Sequence, residues 1–326
     1  MQNVSDAAQR LLEQGRNADA VVLNARGVAA GDAAALFQRA MWTIIGQAVP
    51  RDLPAARRLL RDAAARGHAE ARLLEITLTA NGTGAATDWA GALALLGAAA
   101  ATGDTHARAL QQLLGAMALA PDGTPARHPA PEPLTDDGVV ARVPGLITAA
   151  ECAHVAGSVH DLLAPALVAD PRTGRMVPHP IRTSDHAVIG PLREDVVIRA
   201  LNTRLATISA TPPGAGEALT VLRYRPGQQF RLHSDVLPGT RNQRVATVLV
   251  YLNDDFTGGE TVFPDYDLSI RPRLGDAVIF RNTDAAGRPL AKSRHAGQPV
   301  VSGTKWLATR WIRARAYDPW RGPEAA

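Results

Sequence analysis

One His-x-Asp triplet and one distant histidine are the residues of this sequence best suited to chemistry. His233 and Asp235 flank Ser234, directly after the strand-like segment QQFRL. On an extended backbone residues i and i+2 project to the same face, so an imidazole and a carboxylate can hold one ion. His295, in SRHAGQPVV, is the third candidate ligand. Two histidines and one carboxylate form the facial triad of non-heme Fe(II) oxygenases, although the same three residues could equally hold zinc.

A lysine and two tyrosines on neighbouring predicted strands indicate an anionic ligand beside this metal. Lys305 follows His295 by ten residues in GTKWLATRW, where a returning strand would place its ammonium in a buried pocket. A buried ammonium is costly unless an anion accompanies it, so a carboxylate cosubstrate is its natural partner. Tyr224 and Tyr251 can add phenolic hydrogen bonds to that carboxylate.

Short strands must position these residues. From Leu219 onward, turn residues separate strand-like segments: LTVLRY, RVATVLVYLN, GETVF, LSIRP, DAVIF, HAGQPVV and KWLATRWIRA. Many short strands without intervening helical periods predict an antiparallel sandwich or barrel, with a double-sheet jelly roll as the favoured form. Residues 145–211 look mostly helical, with helix-period apolar faces in TAAECAHVAGSVHDLL and LREDVVIRALNTRLATI, so helices are expected to buttress one sheet.

From residue 139 to the C-terminus the sequence resembles the prolyl 4-hydroxylase group of 2-oxoglutarate, Fe(II)-dependent dioxygenases. The stretches that carry the resemblance occur in the family order: VPGLITAAEC, RTSDHAVI, EALTVLRYRPGQQFRLHSD, RVATVLVYLND, FTGGETVFP, IRPRLGDAVIF and SRHAGQPVVSGTKWLATRWI. The resemblance implies an α+β chain whose oxygenase core is a double-stranded β-helix, or jelly roll.

The resemblance also implies a role for each matching residue. The implied Fe(II) ligands are His233, Asp235 and His295. The implied partner of the distal carboxylate of 2-oxoglutarate is Lys305, and the implied further cosubstrate contacts are Tyr224, Thr247 and Tyr251. The cofactors would be Fe(II), 2-oxoglutarate and O2, with ascorbate as a reductant. The reaction would hydroxylate an unactivated C–H bond and release succinate and CO2.

The substrate side of the entrance departs from the family pattern. The family most often has an aromatic residue or a proline before His-x-Asp, whereas Arg231 and Leu232 precede His233 here. Arg182 belongs to a family stretch, so we expect it to orient the substrate rather than only tie a loop. The segments ADPRTGRMVPHPIRTS and VLPGTRNQ are expected to be mobile lids over the substrate.

The N-terminal part of the chain repeats itself. Gly31, Gly67 and Gly103 recur at 36-residue intervals, and so do two sets of alanines, Ala20, Ala56 and Ala92 with Ala35, Ala71 and Ala107. Glycine ends helices in a left-handed cap, and alanine lets paired helices approach closely. Repeats of this length are helical pairs that stack into a solenoid, and the pattern resembles Sel-one-like (tetratricopeptide-like) repeats. The alternative is chance self-similarity in an Ala-rich helical stretch.

A proline-rich segment separates the two parts. The stretch LAPDGTPARHPAPEPLTDDG carries prolines at 121, 125, 129, 131 and 133, so it cannot continue a helix and should be an extended linker. The predicted organisation is a helical repeat domain at 1–118, a linker at 119–138 and a dioxygenase domain at 139–326.

Composition excludes several classes of protein. A net charge of +4 over 326 residues is too small to indicate a nucleic-acid partner. The single cysteine, Cys152, excludes a disulfide scaffold and fits a reducing compartment, and it is expected to be a buried packing residue. His186 is interpreted as a lid or surface residue because adjacent Asp185 would face the opposite side of a strand. No apolar run approaches the ~20 residues that span a bilayer, so we expect no membrane partner and a cytoplasmic location.

Three functions compete at this point. The leading hypothesis is a prolyl hydroxylase acting on a peptide or protein that the helical repeats recruit. The same chemistry on a free amino acid or small metabolite is an alternative. The third is a repeat-based adaptor whose oxygenase-like domain only binds, although such a protein has no need for all four of His233, Asp235, His295 and Lys305.

Overall fold

The chain divides into two compact units. One contains the residues up to 116 together with 194–199, and the other contains the remaining residues from 117 onward. The structure is a computed structural model and describes residues 3–169, 176–178 and 181–322. The predicted domain limits at 118 and 138 stay a prediction.

The first unit is built from helices that pack against their neighbours in sequence. They are α1 (Val4–Glu13), α2 (Asn17–Ala29), α3 (Ala33–Ile45), α4 (Leu53–Ala65), α5 (Ala69–Asn81), α6 (Trp89–Ala101) and α7 (Thr105–Ala116). Helices α2, α4 and α6 begin 36 residues apart, and so do α3, α5 and α7. The helical repeat architecture predicted from the glycines and alanines is confirmed.

The repeated residues end and begin helices as their types predict. Gly31, Gly67 and Gly103 have φ of +73°, +90° and +95°, the left-handed conformation in which a side chain would be strained. The residue after each glycine caps the next helix, as Asp32 does by accepting the backbone N–H of Ala35 at 2.8 Å. All six repeat alanines have no exposed surface, so they form the contact between paired helices: Ala20, Ala35, Ala56, Ala71, Ala92 and Ala107.

A buried ion pair lies inside the second helical pair. The Arg57 guanidinium donates to both carboxylate oxygens of Glu75 at 2.7 Å. It also donates to the carbonyl oxygens of Leu78 and Thr83 at 3.0 and 2.9 Å and to the Thr79 hydroxyl at 2.7 Å. Arg57 and Glu75 are each 5% exposed, and this complete set of partners compensates the desolvation of both charges.

The second unit is rich in strands. They are β1 (Glu132–Pro133), β2 (Val140–Val143), β3 (Ala164–Pro165), β4 (Leu167–Ala169), β5 (Met176–Pro178), β6 (Asp185–Ile189), β7 (Leu219–Tyr224), β8 (Phe230–His233), β9 (Arg244–Tyr251), β10 (Thr257–Gly258), β11 (Thr261–Phe263), β12 (Leu268–Ile270), β13 (Ala277–Arg281), β14 (His295–Gly297), β15 (Val300–Ser302) and β16 (Lys305–Arg313). Two further helices are α8 (Ala149–Gly157) and α9 (Val196–Ile208).

Two antiparallel sheets enclose the core of this unit. The larger has the order β1-β2-β13-β9-β16-β7-β6-β3, and the smaller has the order β12-β11-β14-β8. Their inner faces share one apolar cluster, which includes Leu249 and Phe280 from the large sheet and Phe263 and Ile270 from the small one. The predicted jelly-roll architecture is confirmed.

Residues 145–211 contain more strand than predicted. Helices α8 and α9 lie within the two helical segments, but β6 between them joins the large sheet beside β7. Its sequence DHAVI alternates, with Asp185, Ala187 and Ile189 buried, which is a strand period rather than a helix period. Within the described residues, no helix has the length and apolar character needed to cross a membrane.

Candidate metal centre and cosubstrate cavity

Strand pairing brings the three candidate metal ligands together. His233 ends β8 and His295 begins β14, and the two residues face each other directly across that pair of strands. Asp235 follows in the loop just beyond β8, so it reaches the site from a turn rather than from the strand itself. One ligand atom from each residue lies within 4.8 Å of the others. The Nε2 atom of His233 is 3.7 Å from Asp235 Oδ1, and that of His295 is 3.9 Å from Asp235 Oδ2.

Backbone carbonyl groups orient both imidazole rings. The Nδ1 atom of His233 lies 2.8 Å from the carbonyl oxygen of Arg231, and that of His295 lies 3.1 Å from the carbonyl oxygen of Ser293. With the proton on Nδ1 and donated to the carbonyl, each Nε2 lone pair faces the space between the ligands. Burial and, to a smaller extent, the neighbouring His295 lower the pKa of His233 to about 4, so the ring is neutral and able to bind a metal at pH 7.

The carboxylate of Asp235 is held by a chain of buried polar side chains. Thr247 donates its hydroxyl to Asp235 Oδ2 at 2.6 Å and accepts from the Asn282 side-chain amide at 2.9 Å. Burial raises the pKa of Asp235, but His295, His233 and the Thr247 hydroxyl together outweigh that effect and hold it below its usual value. Asp235 is therefore an ionised ligand fixed in orientation, and two imidazoles with one carboxylate suit Fe(II).

Thr247 has a role that the sequence did not reveal. Its hydroxyl contacts the metal-ligand candidate Asp235, and its expected contact with the cosubstrate stays a prediction. Asn282 was not singled out from the sequence at all. It follows β13, a strand that carries none of the ligands, and only the pairing of β13 with β9 brings it to Thr247.

Lys305 is buried opposite Tyr224 at the start of β16. It is 2% exposed, and its Nζ donates to the carbonyl oxygen of Gly259 at 2.7 Å. The same atom is 5.5 and 5.6 Å from the ring centroids of Tyr224 and Tyr251. Burial lowers the pKa of Lys305 to about 8, against a smaller opposing effect of Glu260. No carboxylate among the described residues forms an ion pair with this ammonium.

The two predicted tyrosines have different hydrogen-bond environments. Tyr251 donates its hydroxyl to Thr261 at 2.8 Å, and Thr261 also lines the cavity. Tyr224 lines the same cavity, and burial raises its pKa to about 12, so it stays protonated. Both phenols are therefore neutral groups near the ammonium, and Thr261 is a neighbour that the sequence did not reveal.

One cavity connects the metal-ligand candidates with Lys305. Alternate residues of β16 line it, namely Lys305, Leu307, Thr309 and Trp311, because side chains two apart on a strand share a face. The Thr309 hydroxyl and the Trp311 indole N–H are buried without a hydrogen-bond partner among the described residues. Buried polar groups without a partner are rare, so these two atoms indicate a polar ligand in the cavity.

Two aromatic rings that line the cavity have an arginine guanidinium group beside them. Phe230 stacks on His233 with centroids 3.5 Å apart, and Arg182 lies 5.7 Å from the Phe230 ring. Arg244 lies 3.9 Å from the Trp311 ring and is paired with Glu217 at 2.6 Å. Arg182 was predicted at the substrate side, whereas Trp311 was not singled out from the sequence.

Other residues considered from the sequence lie away from the metal centre. Asp185 pairs with Arg223 at 2.7 Å, and His186 sits beside it on β6. Cys152 is buried as predicted, and burial raises the pKa of its thiol to about 12, so it is inert. Of the two predicted lids, the first falls largely on residues 170–175 and 179–180, outside the described residues. In the second, the Gln243 side chain ties the loop to the backbone of Leu237.

Comparisons with known proteins agree with this geometry. Residues 219–313 match the 2OG-Fe(II) oxygenase superfamily. Prolyl 4-hydroxylase 1 of Arabidopsis thaliana is 37% identical over 185 residues, which cover 51% of this chain and 65% of that protein. Prolyl 4-hydroxylase 2 of the same plant is 34% identical over 200 residues, which cover 53% of this chain and 67% of that protein. The chain thus spans about two thirds of the length of these relatives.

Two solved structures are similar to separate parts of the chain. A viral collagen prolyl hydroxylase from Paramecium Bursaria Chlorella virus-1, crystallised as its 2OG complex, is 26% identical and covers 56% of this chain and 99% of that chain, with a TM-score of 0.44. A Sel1 repeat protein from Oxalobacter formigenes is 32% identical and covers 29% of this chain and 28% of that chain, with a TM-score of 0.27.

Proposed function

Because this chain belongs to the prolyl 4-hydroxylase family of 2OG-Fe(II) oxygenases, we propose that it hydroxylates a prolyl residue of a peptide or protein. Fe(II), 2-oxoglutarate and O2 are the cofactors, and succinate and CO2 are released. One observation carries the proposal: three metal-ligand candidates open into the same cavity as a buried ammonium that has no ion-pair partner in the described part of the chain.

Different residues of the cavity bind the metal and the cosubstrate. His233, Asp235 and His295 hold the iron, which supplies the activation of O2 when it is bound. Lys305 takes the distal carboxylate of 2-oxoglutarate through a charge-assisted hydrogen bond, with its ammonium already directed inward by the Gly259 carbonyl. Tyr224, beside this ammonium, remains neutral and can donate its phenolic proton to the same carboxylate.

The lining of the cavity supports a peptidyl proline as the substrate. The Phe230 and Trp311 rings offer apolar faces on which a pyrrolidine ring can pack. Arg182 lies beside the Phe230 ring and Arg244 beside the Trp311 ring, so each aromatic ring is next to a guanidinium group. A free amino acid would use only part of this surface, which is why we favour a peptide.

The helical repeats fit the recruitment of a protein substrate. Stacked helical pairs create extended surfaces for binding a peptide or protein. We propose that residues 1–118 serve this role, that 119–138 form the linker and that 139–326 form the catalytic domain. Ascorbate as the reductant and a cytoplasmic location complete the proposal.

The test is an assay of the full chain with Fe(II), 2-oxoglutarate and a synthetic proline-rich peptide. We expect succinate and hydroxyproline in equal amounts, and loss of both when a chelator removes the metal. Hydroxylation of free proline but not of the peptide would favour the metabolite alternative. Binding of 2-oxoglutarate without succinate formation under any of these conditions would favour the adaptor.

A further inference from the structure

The proline-rich segment at 119–138 has no part in the chemistry of the proposed function. Pro129, Pro131 and Pro133 alternate with Ala130 and Glu132, and every residue from Ala126 to Pro133 is exposed. Proline fixes φ, and the residue before a proline is pushed to extended backbone, so alternating prolines favour an extended polyproline-type conformation. The segment is thus already close to the form in which a peptide enters a binding groove.

The middle of this segment has little regular secondary structure and few hydrogen bonds among the described residues. Residues 127–131 belong to no helix or strand, and the one hydrogen bond described there joins the His128 ring to the carbonyl oxygen of Pro129 at 3.0 Å. By contrast, Pro125 bridges to Leu119, and Pro133 is paired with Ala141 in β1. Of the prolines at 125, 129, 131 and 133, Pro129 and Pro131 are therefore the two that another molecule can bind without breaking a β-pairing.

We propose that Pro129 and Pro131 are hydroxylated by the catalytic cavity of a second copy of this same chain. The inference rests on the proposed function, since it needs prolyl hydroxylase activity. A ring C–H bond of the proline becomes C–OH with one oxygen atom of O2. The other oxygen atom enters succinate as the bond between C1 and C2 of 2-oxoglutarate breaks and CO2 leaves. The C–H bond and the 2-oxo acid each supply two of the four electrons that reduce O2.

The anchoring of the segment indicates reaction between copies rather than within one. Ala126 N–H donates to the carbonyl oxygen of Ala118, and Leu134 N–H donates to that of Val140, both at 2.8 Å. The seven residues between these anchors can extend only about 12 Å at their midpoint. Strand β1 is three strands from β9 and four from β16, whose side chains line the cavity, which corresponds to a lateral distance of about 14–19 Å.

Recognition of the segment follows from the chemistry at the cavity. Extended proline-rich segments dock on aromatic-lined grooves because their conformation costs little ordering entropy. The cavity presents Phe230 and Trp311 on its lining. The modification would place hydroxyl groups on the connection between the helical repeats and the catalytic sheet, where each adds a hydrogen-bond donor to an otherwise apolar ring.

Peptide mapping can locate the modification cleanly. Cleavage after Arg127 and Arg142 releases HPAPEPLTDDGVVAR, which contains all three alternating prolines and lacks Met, Cys and Trp. A gain of 16 Da in this peptide therefore cannot be sulfur or indole oxidation. We expect it after incubation of the full chain with Fe(II), 2-oxoglutarate and O2, with fragment ions that assign it to Pro129 or Pro131. The Asp235→Ala chain treated alone should show none.

Two further measurements decide the assignment. The Pro129→Ala/Pro131→Ala double variant should lose the 16 Da gain from this peptide while forming succinate with a synthetic peptide at the wild-type rate. An isotope-labelled Asp235→Ala chain mixed with unlabelled wild-type chain should gain 16 Da. The initial rate at which the labelled chain is modified should double when the wild-type concentration is doubled.

The outcomes separate this inference from the proposed function. Succinate formation with a synthetic peptide but an unmodified 128–142 peptide would overturn the inference alone, and so would modification confined to Pro133 or to the prolines at 121 and 125. Modification of the wild-type chain without transfer to the labelled chain would overturn the reaction between copies. Absence of succinate with every peptide would remove the proposed function and the inference together.

Discussion

Two buried basic side chains differ in their partners. Arg57 lies in the first unit, called the helical unit, and Lys305 lies in the second, called the catalytic unit. Arg57 in the helical unit meets both oxygens of Glu75, two carbonyl oxygens and one hydroxyl. Lys305 in the catalytic unit meets one carbonyl oxygen and two aromatic faces. A buried cation with a complete set of partners stabilises a fold, whereas one without an anion marks the place where an anionic ligand binds.

The same contrast holds between the hydroxyl beside Arg57 and two neutral polar groups of the cavity. In the helical unit the buried Thr79 hydroxyl both accepts from Arg57 and donates to a backbone carbonyl. In the cavity the Thr309 hydroxyl and the Trp311 N–H lack such partners among the described residues. Variants of the two regions should therefore fail differently, the helical ones in stability and the catalytic ones in ligand binding.

The largest effect is expected from removing a metal ligand. His233→Ala, Asp235→Ala and His295→Ala should each abolish peptide hydroxylation, because a site with two protein ligands cannot hold Fe(II) in facial geometry. Succinate formation and hydroxyproline should fall below detection, while circular dichroism and the melting temperature stay close to wild type. Retained turnover in more than one of these variants would remove the assignment of the metal centre.

The helical ion pair should control stability without touching the chemistry. Arg57→Ala leaves the Glu75 carboxylate buried without its partner, so we expect a loss of about 3–5 kcal/mol in the free energy of unfolding, measured by denaturant titration. Arg58→Ala is the matched control, because Arg58 is the next residue and is exposed. The KM for a short peptide should be unchanged in both variants. Equal stability of the two variants would contradict a structural role for Arg57.

Removal of the cavity ammonium should act on the cosubstrate. A charge-assisted hydrogen bond is worth ~1.5–3 kcal/mol, so Lys305→Ala should weaken 2-oxoglutarate binding by roughly ten- to a hundredfold while metal binding persists. The chain contains one other lysine, Lys292, and Lys292→Ala is the matched control, with unchanged affinity. Lys305→Arg should retain part of the affinity, because the charge is restored on a planar group of different shape. Calorimetric titration showing equal affinity for the wild-type and Lys305→Ala chains would place the cosubstrate elsewhere.

The smallest effect is a pH dependence of the same interaction. Burial lowers the pKa of Lys305 to about 8, and only the protonated amine attracts the carboxylate. Affinity for 2-oxoglutarate should therefore be full well below pH 8 and fall as the pH rises through 8, by roughly tenfold between pH 7 and pH 9. The Lys305→Arg chain should show a flat profile over this range, because its guanidinium keeps its proton. A parallel fall in both chains would show that another group titrates.

Much of the architecture could be predicted because it depends on local patterns. The 36-residue spacing of glycine and alanine predicts the helical pairs, since a left-handed cap and a close helix contact each require one residue type at one position. The alternation of strand residues predicts the sheets in the same way. Residues 145–211 were less well predicted, because the five-residue alternation of β6 is short beside the helical periods on either side.

The residue types of the metal centre and of the cosubstrate pocket were determined by the sequence alone, because few side chains can bind Fe(II) or a buried carboxylate. The tertiary structure decided which strands are neighbours. Only the pairing of β8 with β14 sets His233 opposite His295, and only the pairing of β9 with β13 brings Asn282 to Thr247 and so to Asp235. The period of a strand tells which residues share a face, but the partner of that face depends on contacts between residues far apart in the chain.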